Sequence, residues 1–93
     1  MKNKIKKYIV SSADWELMID EQTSRSAAIS AIIMAFRKYG KKLLMSTTIM
    51  VRSPEDHMVD EVVNADFFAT HDILGDLGMN KLSQSFKNLQ KIL

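Results

Sequence analysis

The residues best placed for metal chemistry are His57 and Glu61, which lie four positions apart and would share one face of a helix. Asp56 and Asp60 flank them, and His71 is the other histidine of the chain. A catalytic zinc ion usually needs three protein ligands in a fixed geometry, and neither histidine lies in a known ligand spacing. Solvated polar side chains explain the pattern better, so we expect no metal site and no cofactor.

Motifs for nucleophilic catalysis and phosphate binding are missing from the sequence. The chain has no cysteine, which excludes disulfides, thiolate ligands and thiol catalysis. Ser24, Ser53 and Thr70 lie where helix caps belong, and no serine stands in a nucleophile-elbow pattern. The three glycines form no phosphate-binding fingerprint. We therefore predict that the protein is not an enzyme and has no catalytic residue.

Polar side chains near the C-terminus are candidates for binding a nucleic acid or a protein partner. The region 70–92 is typical of two helices joined by a tight turn at 78–80. The outer face of the second helix is predicted to carry Lys81, Gln84, Lys87, Asn88 and Lys91. Side chains of these types contact phosphates and base edges. However, the first helix is short and acidic, with Asp72 and Asp76, and the turn does not match the usual helix-turn-helix spacing.

The net charge of +2 hides a strong segregation of charge along the chain. Lysines and arginines cluster at 2–7, at 37–42 and near the C-terminus, whereas seven acidic residues and no basic residue lie between Ser53 and Asn80. Segments of opposite sign can pair within the fold, within a dimer or with partners. Because the acidic stretch opposes a polyanion, we favour a protein partner over a nucleic acid.

Length and composition indicate a single domain spanning residues 1–93, with an apolar share of 46% that is ordinary for a globular protein. Secreted domains of this size usually carry disulfides, so the lack of cysteine favours the cytoplasm. The apolar run Tyr8–Val10 is too short for a signal peptide, and nothing approaches the roughly 18 apolar residues of a membrane span. We therefore expect a cytoplasmic protein with no membrane partner.

Two runs near the N-terminus alternate with the period of a β-strand. Ile5–Ser11 places Tyr8 and Val10 on one face, and Trp15–Asp20 alternates in the same way. The intervening Ser11–Asp14 consists of turn-forming residues. The sequence therefore predicts a β-hairpin.

A helix is predicted after the hairpin, beginning at Thr23 or Ser24, whose hydroxyls are suitable N-caps. Gly40 suits the left-handed residue at its end. Apolar residues recur at helical spacing, and Ile29 and Ile33 widen the stripe formed by Ala28, Ala31, Ile32, Ala35, Phe36 and Tyr39. The alanines would let the helix pack closely against a sheet.

A strand is predicted over Leu43–Arg52, which is rich in Thr, Ile, Val and Met and is ended by Ser53 and Pro54. Its apolar residues fall on both faces. Such a strand is usually central in a sheet covered on two sides. Alternatively, a second subunit covers one side.

The C-terminal part is predicted to contain a short strand and two helices. Val62–Ala69 alternates with a strand period, Thr70 caps a helix over His71–Leu77 that ends at Gly78, and Asn80 caps a last helix. The apolar stripe of that helix is Leu82, Phe86, Leu89 and Leu93.

The predicted fold class is α+β, with the order β-β-α-β-(β)-α-α and an antiparallel or mixed sheet of three to four strands packed on one long helix. The C-terminal helix pair would lie on the other face, at an edge, or on a partner. The predicted core contains Trp15, Leu17, Ile19, Ala28, Ile32, Phe36, Ile49 and Phe86.

The hairpin KYIVSSADWELMID and the capped helix TSRSAAISAI resemble the opening of HicB-type antitoxin domains. The whole chain looks like small uncharacterised proteins of marine tailed phages, chiefly cyanophages. The hairpin, SRSAAISAI and VNADFFATHDILGDLGM carry this second resemblance. It implies a virus-encoded protein in a bacterial cytoplasm and transfers no site residues.

Taken together, these observations predict a non-enzymatic protein-interaction module that binds a host or viral protein. A homodimer is expected, because one face of the strand Leu43–Arg52 needs a cover. The alternative is a small nucleic-acid-binding protein that uses the C-terminal helix.

Overall fold

The computed structural model describes residues 5–53 and 65–92 and confirms the predicted α+β fold class. The described elements are β1 (Lys6–Ser12), β2 (Trp15–Glu21), α1 (Ser24–Tyr39), β3 (Thr48–Arg52), β4 (Ala65–Ala69), α2 (Thr70–Asp76) and α3 (Asn80–Ile92). A short 3-10 turn, Gly40–Lys42, follows α1. The strands form one antiparallel sheet in the order β2-β1-β3-β4.

The predicted hairpin is formed by β1 and β2, joined by the two residues Ala13 and Asp14. Ala13 has a φ of 52°, in the left-handed region that two-residue hairpin turns require. The register pairs Tyr8 with Ile19 and Ser12 with Trp15, so these four side chains lie on one face of the sheet. All four are buried, which fixes the pairing of the hairpin.

The N-cap of α1 is Thr23 rather than Ser24, which is the first helical residue. The Thr23 hydroxyl accepts a hydrogen bond from the Ser26 backbone N–H at 3.1 Å, and the Ser26 hydroxyl accepts one from the Thr23 N–H at 3.3 Å. This reciprocal pair satisfies two backbone donors at the helix start. Gly40, with a φ of 55°, follows the helix end as predicted.

The predicted strand Leu43–Arg52 is too long, because β3 begins only at Thr48. Residues 43–47, here called the crossing segment, run without a strand ladder. Some of its carbonyl groups accept hydrogen bonds from distant residues instead: the indole Nε1 of Trp15 donates to the Leu44 carbonyl at 2.6 Å, and the Thr70 backbone N–H donates to the Thr47 carbonyl at 2.9 Å. These bonds come from residues far away in sequence, so a local strand propensity did not reveal them.

Thr70 was predicted to cap α2, and this prediction is wrong. Thr70 is the first residue of α2 and is fully buried. Its hydroxyl donates to the carbonyl of Ser46 in the crossing segment at 2.7 Å. The hydroxyl therefore joins α2 to the crossing segment and makes no cap bond.

The start of α3 also differs by one residue from the prediction. Asn80 belongs to the helix, and the carbonyl of Met79 accepts the first helical bond from the Ser83 N–H at 2.9 Å. Gly78, with a φ of 77°, makes the turn that separates α2 from α3. The predicted strand over Val62–Ala69 is present as β4 from Ala65 onward, and residues 62–64 lie outside the described residues.

The core lies between one face of the sheet and the helices α1 and α2. Five predicted core residues are buried, namely Trp15, Ile19, Ala28, Ile32 and Ile49. The other three, Leu17, Phe36 and Phe86, are only partly buried at its margin. Leu17 lies on the outermost strand, and Phe86 lies on a helix that reaches the core through α2.

The helix α2 packs beside α1 and against β4, which is the edge placement among the three that the sequence left open. Its residues Ile73 and Leu74 are fully buried in the same core as α1, although they are not among the predicted core residues. The helix α3 packs mainly on α2.

Candidate functional site

The predicted contact residues lie on α3. Lys81, Gln84, Lys87 and Asn88 are exposed, and the Gln84 amide donates to the Asn88 side-chain oxygen at 3.1 Å. Lys91 lies in the last turn of α3, beyond the side chains that the structure describes. On the opposite side of α3, Leu82 and Phe86 pack against the core. The outer face of α3 is thus a polar strip of basic and amide groups.

Two of the acidic residues that precede this strip are engaged with Arg25 at the start of α1. The Arg25 Nε donates to Asp76 at 3.1 Å, and its Nη1 donates to Asp72 at 3.3 Å. The hydrogen bond with Asp76 is the main cause that raises the pKa of Arg25 above its ordinary value. The guanidinium also lies over the ring of Phe68, 5.8 Å from its centroid. These acids therefore fasten α2 to α1, and Arg25 offsets part of their charge.

Among residues 5–53 and 65–92, no three His, Asp or Glu side chains are grouped so that they could hold a metal ion. His57 and the acids next to it lie outside this range. Within the same range, no helix has both the length and the apolar character needed to cross a membrane.

A different surface becomes visible once the sheet is assembled. We call open face the side of the sheet turned away from α1, with the apolar residues Ile9, Met18, Met50 and Phe67. The register places Met18 opposite Ile9 and Met50 opposite Phe67. Met18 is 60% exposed and Phe67 is 64% exposed. Every buried strand residue belongs to the other face, so no described helix covers this one.

Charged residues lie among the apolar residues of the open face. Arg52 on β3 reaches across β1 to form an ion pair with Glu16 on β2. Lys7 on β1 lies 3.4 Å from the carboxylate of Asp20 on β2. The open face therefore carries two apolar pairs, Met18 with Ile9 and Met50 with Phe67, and the ion pair of Arg52 and Glu16 lies between them.

A groove runs beside β2, the outermost strand next to α1. It has a volume of about 330 Å³ and is lined by Met18, Ile19, Asp20, Glu21, Ser30, Ile33 and Met34. The Ser30 hydroxyl donates to the Glu21 carboxylate at 2.7 Å on one wall. Ile33, predicted to widen the core stripe, is 38% exposed here, and Met34 is 45% exposed.

Sequence reasoning missed both surfaces. Alternation in β2 indicated that Glu16, Met18 and Asp20 share a face, but Met18 then reads as an isolated apolar residue among acids. The hairpin places Met18 opposite Ile9, and only the assembled sheet adds Met50 and Phe67 to the same face.

Comparison with protein-family models, with curated proteins and with solved structures gives no match for this chain.

Proposed function

We propose that this protein is a non-enzymatic protein-interaction module that binds a host or viral protein through its open face. The exposure of Met18 and Phe67 on a sheet face that no described helix covers is the observation that carries this proposal. Exposed apolar surface of this extent is often functional in monomeric proteins. The resemblance to phage proteins supports a phage-encoded protein that acts in the cytoplasm of a bacterial host.

The exposed apolar side chains of this face can contribute part of the free energy of binding a partner. Phe67, which is 64% exposed, leaves about 100–150 Å² of surface for a partner to cover, equivalent to about 3 kcal/mol of gross burial. Met18 adds a contribution of similar kind, and methionine adapts its shape to different partners. Ordering and desolvation reduce the gross value, so these residues act as anchors within a larger contact.

Alternatively, the open face binds a second copy of the chain, which would give the homodimer expected from the sequence. Leu44 and its neighbours in the crossing segment do not add an apolar face to β3, because β3 begins at Thr48. The remaining reason is the open face itself. Four strands of this length span about 20 Å by about 15–20 Å, or about 300–400 Å². Stable dimers usually bury about 800 Å² per partner, so a dimer needs contacts outside the sheet.

Nucleic-acid binding is the second candidate function, and the outer face of α3 favours it. Lys81, Gln84, Lys87 and Asn88 are exposed on one side of this helix. Two of the acids nearby are engaged by Arg25, which weakens the electrostatic objection to a polyanion. The strip contains few cations, and phosphate contacts dominate nucleic-acid affinity, so we rank this function below protein binding.

Site-specific photo-cross-linking tests the proposal. A photoreactive phenylalanine analogue replaces Phe67 on the open face or Gln84 on α3, and each protein is expressed in cyanobacterial cells infected with phage. We expect a discrete protein adduct from position 67 and none from position 84. Adducts with nucleic acid from position 84, or equal background labelling at both positions, would contradict the proposal.

A further inference from the structure

We propose that the free edge of β2, together with the groove beside it, binds an extended basic segment of a partner protein as a fifth strand of the sheet. This inference rests on the proposed function as a protein-interaction module and specifies a second contact surface and the form of the bound segment. Within residues 5–53 and 65–92, β2 ends the strand order, so its outer side has no neighbouring strand.

The backbone of β2 supplies the pairing groups. An antiparallel ladder directs the N–H and C=O groups of alternate residues away from the neighbouring strand. Because the turn after Ser12 has two residues, Trp15 pairs with Ser12 by hydrogen bonds and the outward groups belong to Glu16, Met18 and Asp20. A strand added to this edge would gain main-chain hydrogen bonds, as in other cases of β-strand addition.

The groove supplies the side-chain contacts. Ile33 and Met34 of α1 flank the edge strand and leave apolar surface exposed beside it. Successive side chains of a strand point to opposite faces of a sheet. Every second side chain of an added strand would therefore enter the groove, and the others would lie beside Met18 at the margin of the open face.

Charge decides which segment fits. β2 has three carboxylates, Glu16, Asp20 and Glu21, and no basic side chain. Although Glu16 and Asp20 form ion pairs, their side chains remain 57% and 65% exposed. This edge therefore complements a strand in which lysine or arginine alternates with apolar residues.

The same charges disfavour a second copy at this edge. If two β2 strands paired antiparallel over their full length, Met18 would face its own counterpart and Glu16 would lie opposite Asp20. Like charges directly opposite each other destabilise a strand pair, and charged edges are a common protection against self-pairing. A basic segment of another protein is the occupant that this edge favours.

Two synthetic peptides of seven residues, the length of β2, test the inference. One alternates Lys and Val, and the other contains the same residues with all lysines grouped at one end. Titration of the isotope-labelled protein, followed by amide chemical shifts, gives both affinity and location. We expect the alternating peptide to shift residues 16–21 and 30–34 and to bind about tenfold more tightly than the grouped peptide.

Matched variants distinguish binding at the edge of β2 from nonspecific electrostatic attraction of the peptide. Asp20→Lys should weaken binding of the alternating peptide about tenfold, whereas Asp66→Lys on β4 makes the same change in net charge and should leave binding unchanged. Ile33→Lys should weaken it by blocking the groove, and Leu89→Lys on α3 is its control because Leu89 is also exposed. Dispersed amide spectra must show that each variant is folded.

Equal affinity of the two peptides, or shifts centred on β4 or α3, would overturn the inference. The function itself has a separate measurement. If position 67 gives a protein adduct while neither peptide binds at β2, the interaction function stands and the edge inference fails. If position 67 gives no adduct and neither peptide binds, both fail.

Discussion

Two neighbouring isoleucines in α1 allow a sharp test of how this helix is oriented. Ile32 is fully buried against the sheet, whereas Ile33 is 38% exposed in the groove. Adjacent residues of an α-helix point about 100° apart. The substitutions Ile32→Ala and Ile33→Ala remove the same atoms at adjacent positions, so their difference isolates packing.

The expected magnitudes follow from burial. A fully buried isoleucine replaced by alanine usually costs about 2–5 kcal/mol, through lost burial and the cavity left behind. Alanine is the better helix former by about 0.3–0.5 kcal/mol, and this gain applies to both variants. For Ile33→Ala, the gain offsets much of the smaller loss, and we expect a net change below about 1 kcal/mol.

The assay is urea unfolding followed by far-ultraviolet circular dichroism, supported by thermal melts. We expect Ile32→Ala to lower the unfolding midpoint with an unchanged slope. It should lower Tm by at least about 8 °C, since 1 kcal/mol corresponds to about 4–8 °C in a domain of this size. Equal losses of stability in the two variants, or a larger loss for Ile33→Ala, would refute this orientation of α1. They would also contradict the groove, which depends on that orientation.

Three further predictions concern a hydrogen bond, self-association and α3. Thr70→Val should lower the free energy of unfolding by about 1–2 kcal/mol in denaturant titrations, because it deletes the buried hydrogen bond to the Ser46 carbonyl. Thr48→Val, at an exposed site, should change it by less than about 0.5 kcal/mol. Equal effects of the two substitutions would contradict the role of that hydrogen bond. If a second copy covers the open face, sedimentation at micromolar concentration should show a dimer that Phe67→Ser converts to a monomer, and a monomeric unmodified protein would contradict this. We expect no gel shift with DNA or RNA at physiological salt, and a sub-micromolar, salt-sensitive shift would contradict this. If such a shift appeared, replacing Lys81, Lys87 and Lys91 by glutamine should flatten its salt dependence by up to about three phosphate contacts.

The parts of the fold that the sequence predicted well are those determined by neighbours in the chain. The hairpin follows from alternation and a short turn, and α1 follows from the Thr23 cap, the alanine spacing and Gly40. These signals are local, so one sequence is sufficient to read them.

The errors arise where groups distant in sequence compete with local preference. The crossing segment has the composition of a strand, yet Trp15 and Thr70 bind its carbonyl groups. The predicted cap at Thr70 fails for the same reason, since its hydroxyl has a partner elsewhere.

The candidate surfaces could be predicted only in part. The polar strip on α3 was visible in the sequence because it is a property of one helix. The open face and the groove depend on which strand lies at the edge and on how α1 is rotated. Neither quantity is encoded in a local pattern, so the exposed positions of Ile33 and Phe67 required the assembled sheet.

The hydrogen bond between Trp15 and the Leu44 carbonyl makes Trp15 an intrinsic fluorescent probe of folding. Trp15 is the single tryptophan, is buried, and contacts a residue 29 positions away. Its emission therefore reports when the crossing segment closes over the hairpin, whereas circular dichroism reports chiefly on the helices. Because small domains usually fold in one cooperative step, the two signals should change at the same rate in a stopped-flow refolding experiment without any added label.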